Sequence, residues 1–319
     1  MQPQLLFLDL TNFIEGRKLI ISNVVGGLGN QMFQYACGKA LADRYCVTHV
    51  LDLSAFLGYS SDNSDGLFNG MALHQGFQLG EIFDLDILEA SDEVIKNVIG
   101  WRAKKYAKDR LHKNALSPFR GRHFIVDDEG IDKIDATILQ KGVYLSGYWQ
   151  NEKYFVDAES LTRRQFDFKV PLVEKNAEIA DVINASNSVS LHVRRGDYVS
   201  NAHFTKDFPV CSVDYYQAAI EKIASHIATP TFFVFSDSLE WVKNNLLIPY
   251  PCVYVDNNQD QASHHDMHLM SLCDHNIIAN SSFSWWGAWL NKNHSKLVIA
   301  PEIWLHNSSV ELPKTWISL

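Results

Sequence analysis

Apolar and polar residues come in blocks along this chain rather than in strict alternation. Lys18–Val25 is an apolar, β-branched run ended by Gly26-Gly27-Leu28-Gly29. Helical spacing follows over Asn30–Arg44, then a short strand at His49–Leu53, so the chain opens β–Gly loop–α–β. Residues 54–140 pattern poorly: 58–70 is rich in Ser, Asp and Gly, and the clearest helical spacing is Asp92–Ile99. Gly142–Trp149 reads as a strand. Beyond it the pattern becomes regular. Helices are predicted at Asn176–Asn184, Tyr215–Ile227, Leu239–Leu246, His264–Cys273 and Ser284–Asn291. Strands are predicted between them at Ser188–Val193, Thr231–Phe235, Cys252–Val255, Asn276–Ala279 and Lys296–Ala300. Apolar strands separated by helices imply parallel sheets covered on both faces. The expected fold class is α/β with mostly parallel sheets, in two domains, residues 1–170 and 171–319, parted near Pro171.

The length agrees with that division, since 319 residues is about two domains at roughly 150 each. With 46% hydrophobic and 20% charged residues, the chain has material for buried cores and is not a disordered or low-complexity protein. Its net charge of −9 makes nucleic acid an unexpected partner. Any anion site must be built locally, from arginines or backbone amides. The five cysteines (Cys37, Cys46, Cys211, Cys252, Cys273) form no CxxC pair, which argues against a disulfide framework or a zinc site. Apolar runs are strand-sized, short of the roughly 20 residues of a membrane helix. Residues 1–20 carry Asp9 and Glu15 and lack the basic start of a signal peptide. A cytoplasmic location is the expectation.

In open parallel sheets ligands bind outside the carboxyl ends of the strands. There the chain places Arg194-Arg195-Gly196-Asp197, Ser236-Asp237-Ser238, Asp256-Asn257 and Asn280-Ser281-Ser282-Phe283-Ser284. Adjacent arginines present two guanidinium forks, which suit a pyrophosphate; the plain alternative is a pair of surface salt bridges. Asp197 is either a base or an anchor for one arginine, with anchoring favoured, and His192 is either a core histidine or a site residue. Ser281–Ser284 reads as N-capping or as phosphate binding by hydroxyls and helix amides. Trp285, Trp286 and Trp289 read as core or as a sugar platform, with core favoured. The Gly loop, with Asp52 on the next strand, invites a dinucleotide reading, but Met32 stands where the third glycine of G-x-G-x-x-G belongs. Its glycines then serve close approach of a ligand or of the other domain. Asp84-Leu85-Asp86 is the lone D-x-D, in a poorly patterned region, and no metal is expected there.

Four segments together resemble the α-1,2-fucosyltransferases of glycosyltransferase family 11: Gly26–Ala36, His192–Tyr198, Phe235–Ser238 and Asn280–Leu290. They stand in the family's order and cover the chain from about Lys18 to near its end, with residues 1–17 outside. The resemblance implies a GT-B-type fold of two facing Rossmann-like domains. The N-terminal one would face the acceptor with Gly loop 26–31, and the C-terminal one would bind GDP-β-L-fucose. Fucose would pass with inversion to the 2-hydroxyl of a terminal β-galactoside, without a metal. The setting implied is bacterial surface glycan synthesis, of O-antigen or H type, with peripheral contact to a lipid-linked glycan and no transmembrane segment.

Residue by residue, the resemblance gives Arg194 and Arg195 the diphosphate, His192 and Asp237 the guanosine, and Ser282, Phe283 and Ser284 the phosphates. Gly27, Gly29 and Asn30 would approach the fucosyl–phosphate end. Departure of GDP adds negative charge, which preorganised cations stabilise. A carboxylate should assist the acceptor hydroxyl, with Asp197 and Glu152 as candidates. Two other readings predict different ligands: a nicotinamide- or flavin-dependent oxidoreductase built on the Gly loop, and a non-catalytic glycan-binding protein using the tryptophans.

Overall fold

The computed structural model describes residues 18–56, 67–68, 71–72, 76–111, 114–127, 131–196, 209–305 and 310–319. Its strands are β1 Leu19–Asn23, β2 Thr48–Asp52, β3 Leu67–Phe68, β4 Met71–Ala72, β5 Phe124–Val126, β6 Val143–Ser146, β7 Asn187–Val193, β8 Pro230–Ser236, β9 Cys252–Val255, β10 His275–Ile277, β11 Val298–Ala300 and β12 Ile317–Ser318. Its helices are α1 Leu28–Tyr45, α2 Leu79–Ile82, α3 Asp92–Ile99, α4 Lys105–Leu111, α5 Ala136–Leu139, α6 Glu159–Gln165, α7 Glu174–Asn184, α8 Val213–Ala224, α9 Leu239–Asn245, α10 His264–Leu272 and α11 Ser282–Leu290.

Two parallel sheets result, ordered β2-β1-β6-β5 and β12-β11-β10-β7-β8-β9, with β3–β4 a separate antiparallel hairpin. Successive strand residues bury on opposite faces. Leu19 and Ile21 of β1 pack with α3 under Val94, Ile95 and Val98, while Ile20 enters a second layer. In β8, Phe232 and Val234 pack with α8, while Phe233 and Phe235 enter that same second layer. This shared apolar layer contains Phe33, Tyr35 and Leu41 of α1 and Trp285, Trp286 and Trp289 of α11. The architecture is therefore the GT-B-type α/β arrangement of two Rossmann-like sheets, packed together through α1 and α11.

Local chemistry sets the elements. Ser91 caps α3 by accepting from the Val94 amide at 3.3 Å, Asp92 and Glu93 occupy the first turn, and Gly100 at φ +63° ends the helix. Such a cap contributes about 1 kcal/mol, so Ser91→Ala would fray this end first. The expected strand 142–149 is shorter, β6 ending at Ser146, because Trp149 takes a left-handed φ of 56°. The expected strand 276–279 likewise stops at Ile277. Strands β5 and β12 and the hairpin were not foreseen; elements of two or three residues carry no readable period.

Candidate active site

The carboxyl end of β7 is the centre of the site. After Val193 the chain turns through Arg194, Arg195 and Gly196 beside the end of β8, its parallel neighbour, where Asp237 stands. Asp237 Oδ1 accepts from the Arg195 amide at 2.9 Å and Oδ2 from the Gly196 amide at 3.0 Å. Arg194 Nε lies 3.2 Å from the same Oδ2. Hydrogen bonds to a charged group contribute about 1.5–3 kcal/mol each, less where water reaches them, so the loop is clamped rather than loose. Position 196 is closely packed, since a Cβ there would lie 2.8 Å from Asp237 Oδ2, a side-chain tip that can shift. The Arg195 guanidinium stacks over Trp241 of α9 at 3.7 Å from the ring centre.

His192 lies inside the strand end, 6% exposed, its ring 6.0 Å from that of Phe283. Burial, and then the Arg194 cation, push its pKa down to about 4, with Asp237 opposing, so the ring is neutral at pH 7. Among the described residues its Nδ1 has no hydrogen-bond partner. Phe283 lies in the first turn of α11, which carries no acidic residue and whose N-cap, Ser281, makes no side-chain capping bond. The start of α1 lies directly against it. A Cβ on Gly29 would fall 2.5 Å from the Ser282 carbonyl carbon and 2.7 Å from the Phe283 nitrogen. Trp286 Nε1 donates to the Gly29 carbonyl at 3.0 Å. The first turn of α1 also lacks an acid and a side-chain cap. Two helix N-termini thus meet with positive ends together and no anion of the protein's own in either first turn.

Residues 102–313 match the family model "Glycosyl transferase family 11". The chain belongs to this family. An alpha-1,2-colitosyltransferase of Escherichia coli is 33% identical over 313 residues, spanning 94% of this chain and 99% of that protein. The O-antigen biosynthesis glycosyltransferase WbnK, also of Escherichia coli, is 33% identical over 316 residues, spanning 92% and 98%. Among solved structures, fucosyltransferase NodZ from Bradyrhizobium aligns with a TM-score of 0.49 at 14% identity, covering 85% of this chain and 92% of that one.

In this family-11 glycosyltransferase several expected site residues make contacts within the protein itself. Ser284 is fully buried, and its hydroxyl donates back to the Ala279 and Ser281 carbonyls at 3.4 and 3.3 Å, so it braces the turn. Ser282 and Phe283 stay half-exposed. Asp237, expected at the guanosine, has both carboxylate oxygens engaged by the arginine loop. The three tryptophans of α11 are core, 1%, 0% and 4% exposed, and form no sugar platform. Asp197 lies outside the described residues.

The dinucleotide reading fails on geometry. Gly29 is filled against α11, and Asp52 is buried with Lys108 Nζ and the Tyr144 hydroxyl both 2.7 Å from its Oδ2. Burial would raise the Asp52 carboxyl, but the Lys108 ammonium and the hydrogen bonds hold it below its ordinary value. Glu152 accepts from Trp289 Nε1 at 3.3 Å, and burial raises its pKa. Trp289 lies about 10 Å along α11 from Ser282, at 1.5 Å per residue, which takes Glu152 away from the helix N-terminus. Asp84 and Asp86 are exposed, and among the described residues no group of three or more His, Cys, Asp or Glu could hold a metal ion. No described helix is long and apolar enough to cross a membrane.

Sequence reasoning missed Trp241, Gln150 and Trp304. Gln150 Nε2 donates to Asn30 Oδ1 at 2.8 Å, and Trp304 Nε1 donates to Gln150 Oε1 at 3.2 Å. Nothing in local spacing marks these residues: the two bonds of Gln150 each cross more than a hundred positions of sequence, and Trp241 meets Arg195 from a different element.

Proposed function

We propose that this glycosyltransferase moves L-fucose from GDP-β-L-fucose to the 2-hydroxyl of a terminal β-galactoside, with inversion, in bacterial surface glycan synthesis. The observation that carries the reading is the meeting of two acid-free helix N-termini beside the clamped Arg194-Arg195 loop. Such a cradle suits a diphosphate. The C-terminal domain, residues 171–319, holds the donor, and residues 1–170 bring Gly27, Gly29 and Asn30 to the sugar–phosphate end and receive the acceptor.

As the glycosidic bond to phosphate breaks, positive charge grows on the sugar and negative charge on GDP. Arg194, Arg195 and the helix amides at Ser282 and Phe283 meet the negative charge in place, which makes a metal unnecessary. Neutral His192 offers a ring nitrogen to the nucleoside side. The proton of the acceptor hydroxyl goes to a carboxylate; Asp197 is either that base or, as favoured from its place beside the arginines, a further anchor next to Asp237. The enzyme works at the cytoplasmic face of the membrane and touches a lipid-linked glycan peripherally.

A second reading replaces fucose by colitose, its 3-deoxy analogue, and is favoured by the 33% identity to a colitosyltransferase over nearly the whole chain. One experiment separates them: calorimetry with GDP, then transfer to β-galactoside acceptors with GDP-fucose and GDP-colitose in competition. GDP binding with fucose preferred supports the first reading. Preference for GDP-colitose favours the second, and no affinity for GDP overturns both.

A further inference from the structure

The residues joining the halves form a polar chain with one direction. An indole nitrogen only donates, so the oxygen of the Gln150 amide must face Trp304 Nε1, 3.2 Å away. Gln150 Nε2 therefore faces Asn30, which must turn its own Oδ1 to receive that bond, at 2.8 Å. The Asn30 amide nitrogen is then directed the other way, over Gly26, where a Cβ would lie 2.9 Å from it. Among the described residues it has no acceptor. Trp304 is 3% exposed, so the origin of the chain is buried and cannot turn freely.

The backbone that delivers Gln150 is held against its preference. Trp149, the preceding residue, has φ 56°, an uncommon conformation for a large aromatic residue. Asp127 maintains it, its Oδ2 accepting from the amides of Tyr148 at 3.1 Å and Trp149 at 2.6 Å while Oδ1 accepts from the Tyr154 hydroxyl at 3.2 Å. Burial of Trp149, 1% exposed, and its edge-on packing against Tyr154 at 5.2 Å complete the brace. A strained, carboxylate-held turn whose next side chain spans both halves is a geometry with a purpose.

We infer that Gln150 is a positioning residue that sets the polarity of Asn30, so that Asn30 offers N–H donors, and not its carbonyl, to the anionic donor. The inference rests on the proposed function above, because it needs a negatively charged donor group near Asn30. It adds Gln150 and Trp304 to the expected site set, and it explains why the link is an amide: at neutral pH a glutamine amide both accepts from Trp304 and donates to Asn30, which a carboxylate of the same length does not.

Three variants test it against a merely structural role: Gln150→Glu, Gln150→Met and Trp304→Phe. Glutamate is nearly isosteric with glutamine and still accepts from Trp304, but its carboxylate cannot donate to Asn30. Asn30 then reverses and turns its carbonyl to the anion. Methionine removes both bonds and leaves Asn30 free to adapt. The expected order of kcat at pH 7.5 is Gln, then Met, then Glu, with the Glu variant down about tenfold or more and thermal midpoints near wild type. On acidification the Glu variant regains rate relative to wild type, because the introduced carboxyl donates again once it is protonated. Packing alone predicts the opposite order, with Glu nearest to Gln and no recovery in acid; that result overturns the inference. If the Glu variant does not fold, Trp304→Phe carries the test. It should lower kcat severalfold alone and add little to Gln150→Met, whereas full additivity overturns the inference. Calorimetry of GDP on the wild-type chain keeps the two failures apart. If wild type binds GDP and the variants match it in turnover, only this inference falls, whereas a wild type without GDP affinity removes the proposed function beneath it.

Discussion

Each sheet sends a glycine-bearing loop from the end of an interior strand, β1 or β7, and the two loops have opposite fates. In the loop after β1, Gly29 is consumed by packing. Gly29 lies so close to Ser282 and Phe283 that backbone meets backbone, and its carbonyl is taken by Trp286. The loop after β7 is held open by a carboxylate. Asp237 takes two amides and the Arg194 guanidinium, and Arg195 rests on Trp241. One glycine exists for a neighbour that cannot move, the other for a side chain that can. The same topological position therefore serves in one half to join the halves and in the other to present cations.

The same substitution in both loops breaks this comparison most sharply. Gly29→Ala sets a methyl group against rigid backbone, so it should destabilise by about 1–3 kcal/mol. It should also lower transfer by more than ~10²-fold, since it spreads the two helix N-termini. Gly196→Ala meets only a carboxylate oxygen and should do far less. Urea unfolding and a transfer assay measure both, and equal effects would show that the loops are not distinct in kind.

Next in size is the exchange of arginine for lysine. Arg194→Lys and Arg195→Lys keep the charge but lose the planar fork that pairs with Asp237 or stacks on Trp241. A fall in kcat of ~10²-fold is expected for either, the scale of losing one preorganised donor. Near-normal kcat would mean that these cations supply bulk charge only.

Asp237→Asn tests the clamp itself. One carboxylate oxygen becomes an NH₂ group facing a backbone N–H, so the loop loosens, and GDP affinity should weaken about tenfold, or ~1.4 kcal/mol. Calorimetry measures this directly. Asp197→Asn serves as the partner experiment: unchanged GDP affinity with transfer lost marks Asp197 as the base.

A smaller effect concerns pH. Because burial and Arg194 keep His192 unprotonated until about pH 4, the rate profile should carry no His192 step near 6.5. Stability should instead decline as pH falls from 6.5 towards 4, since the unfolded chain takes up a proton that the folded ring refuses. Unfolding curves at pH 7 and pH 5, for wild type and His192→Gln, check the sign; a smaller decline in the variant is expected. The smallest effect is none: excess EDTA should leave transfer unchanged. Activity abolished by EDTA and restored by Mg²⁺ would show that the arginines and helix ends do not suffice for the leaving group.

The sequence by itself determined the parallel α/β architecture, because each buried strand and its covering helix announce themselves in a few contiguous residues. It also determined the composition of the two loops and the family they mark, since Gly26–Gly29 and Arg194–Gly196 are local words. The tertiary structure alone decided what each loop does. Gly29 acquires its meaning from Ser282, and Arg194 from Asp237. Ser284 turned inward and the α11 tryptophans became core because two sheets close on α1 and α11, and burial is a property of the whole packed layer. The relay from Trp304 through Gln150 to Asn30 lay furthest from view. Its three members have no periodicity in common, and only the folded chain brings their donors and acceptors within hydrogen-bond distance.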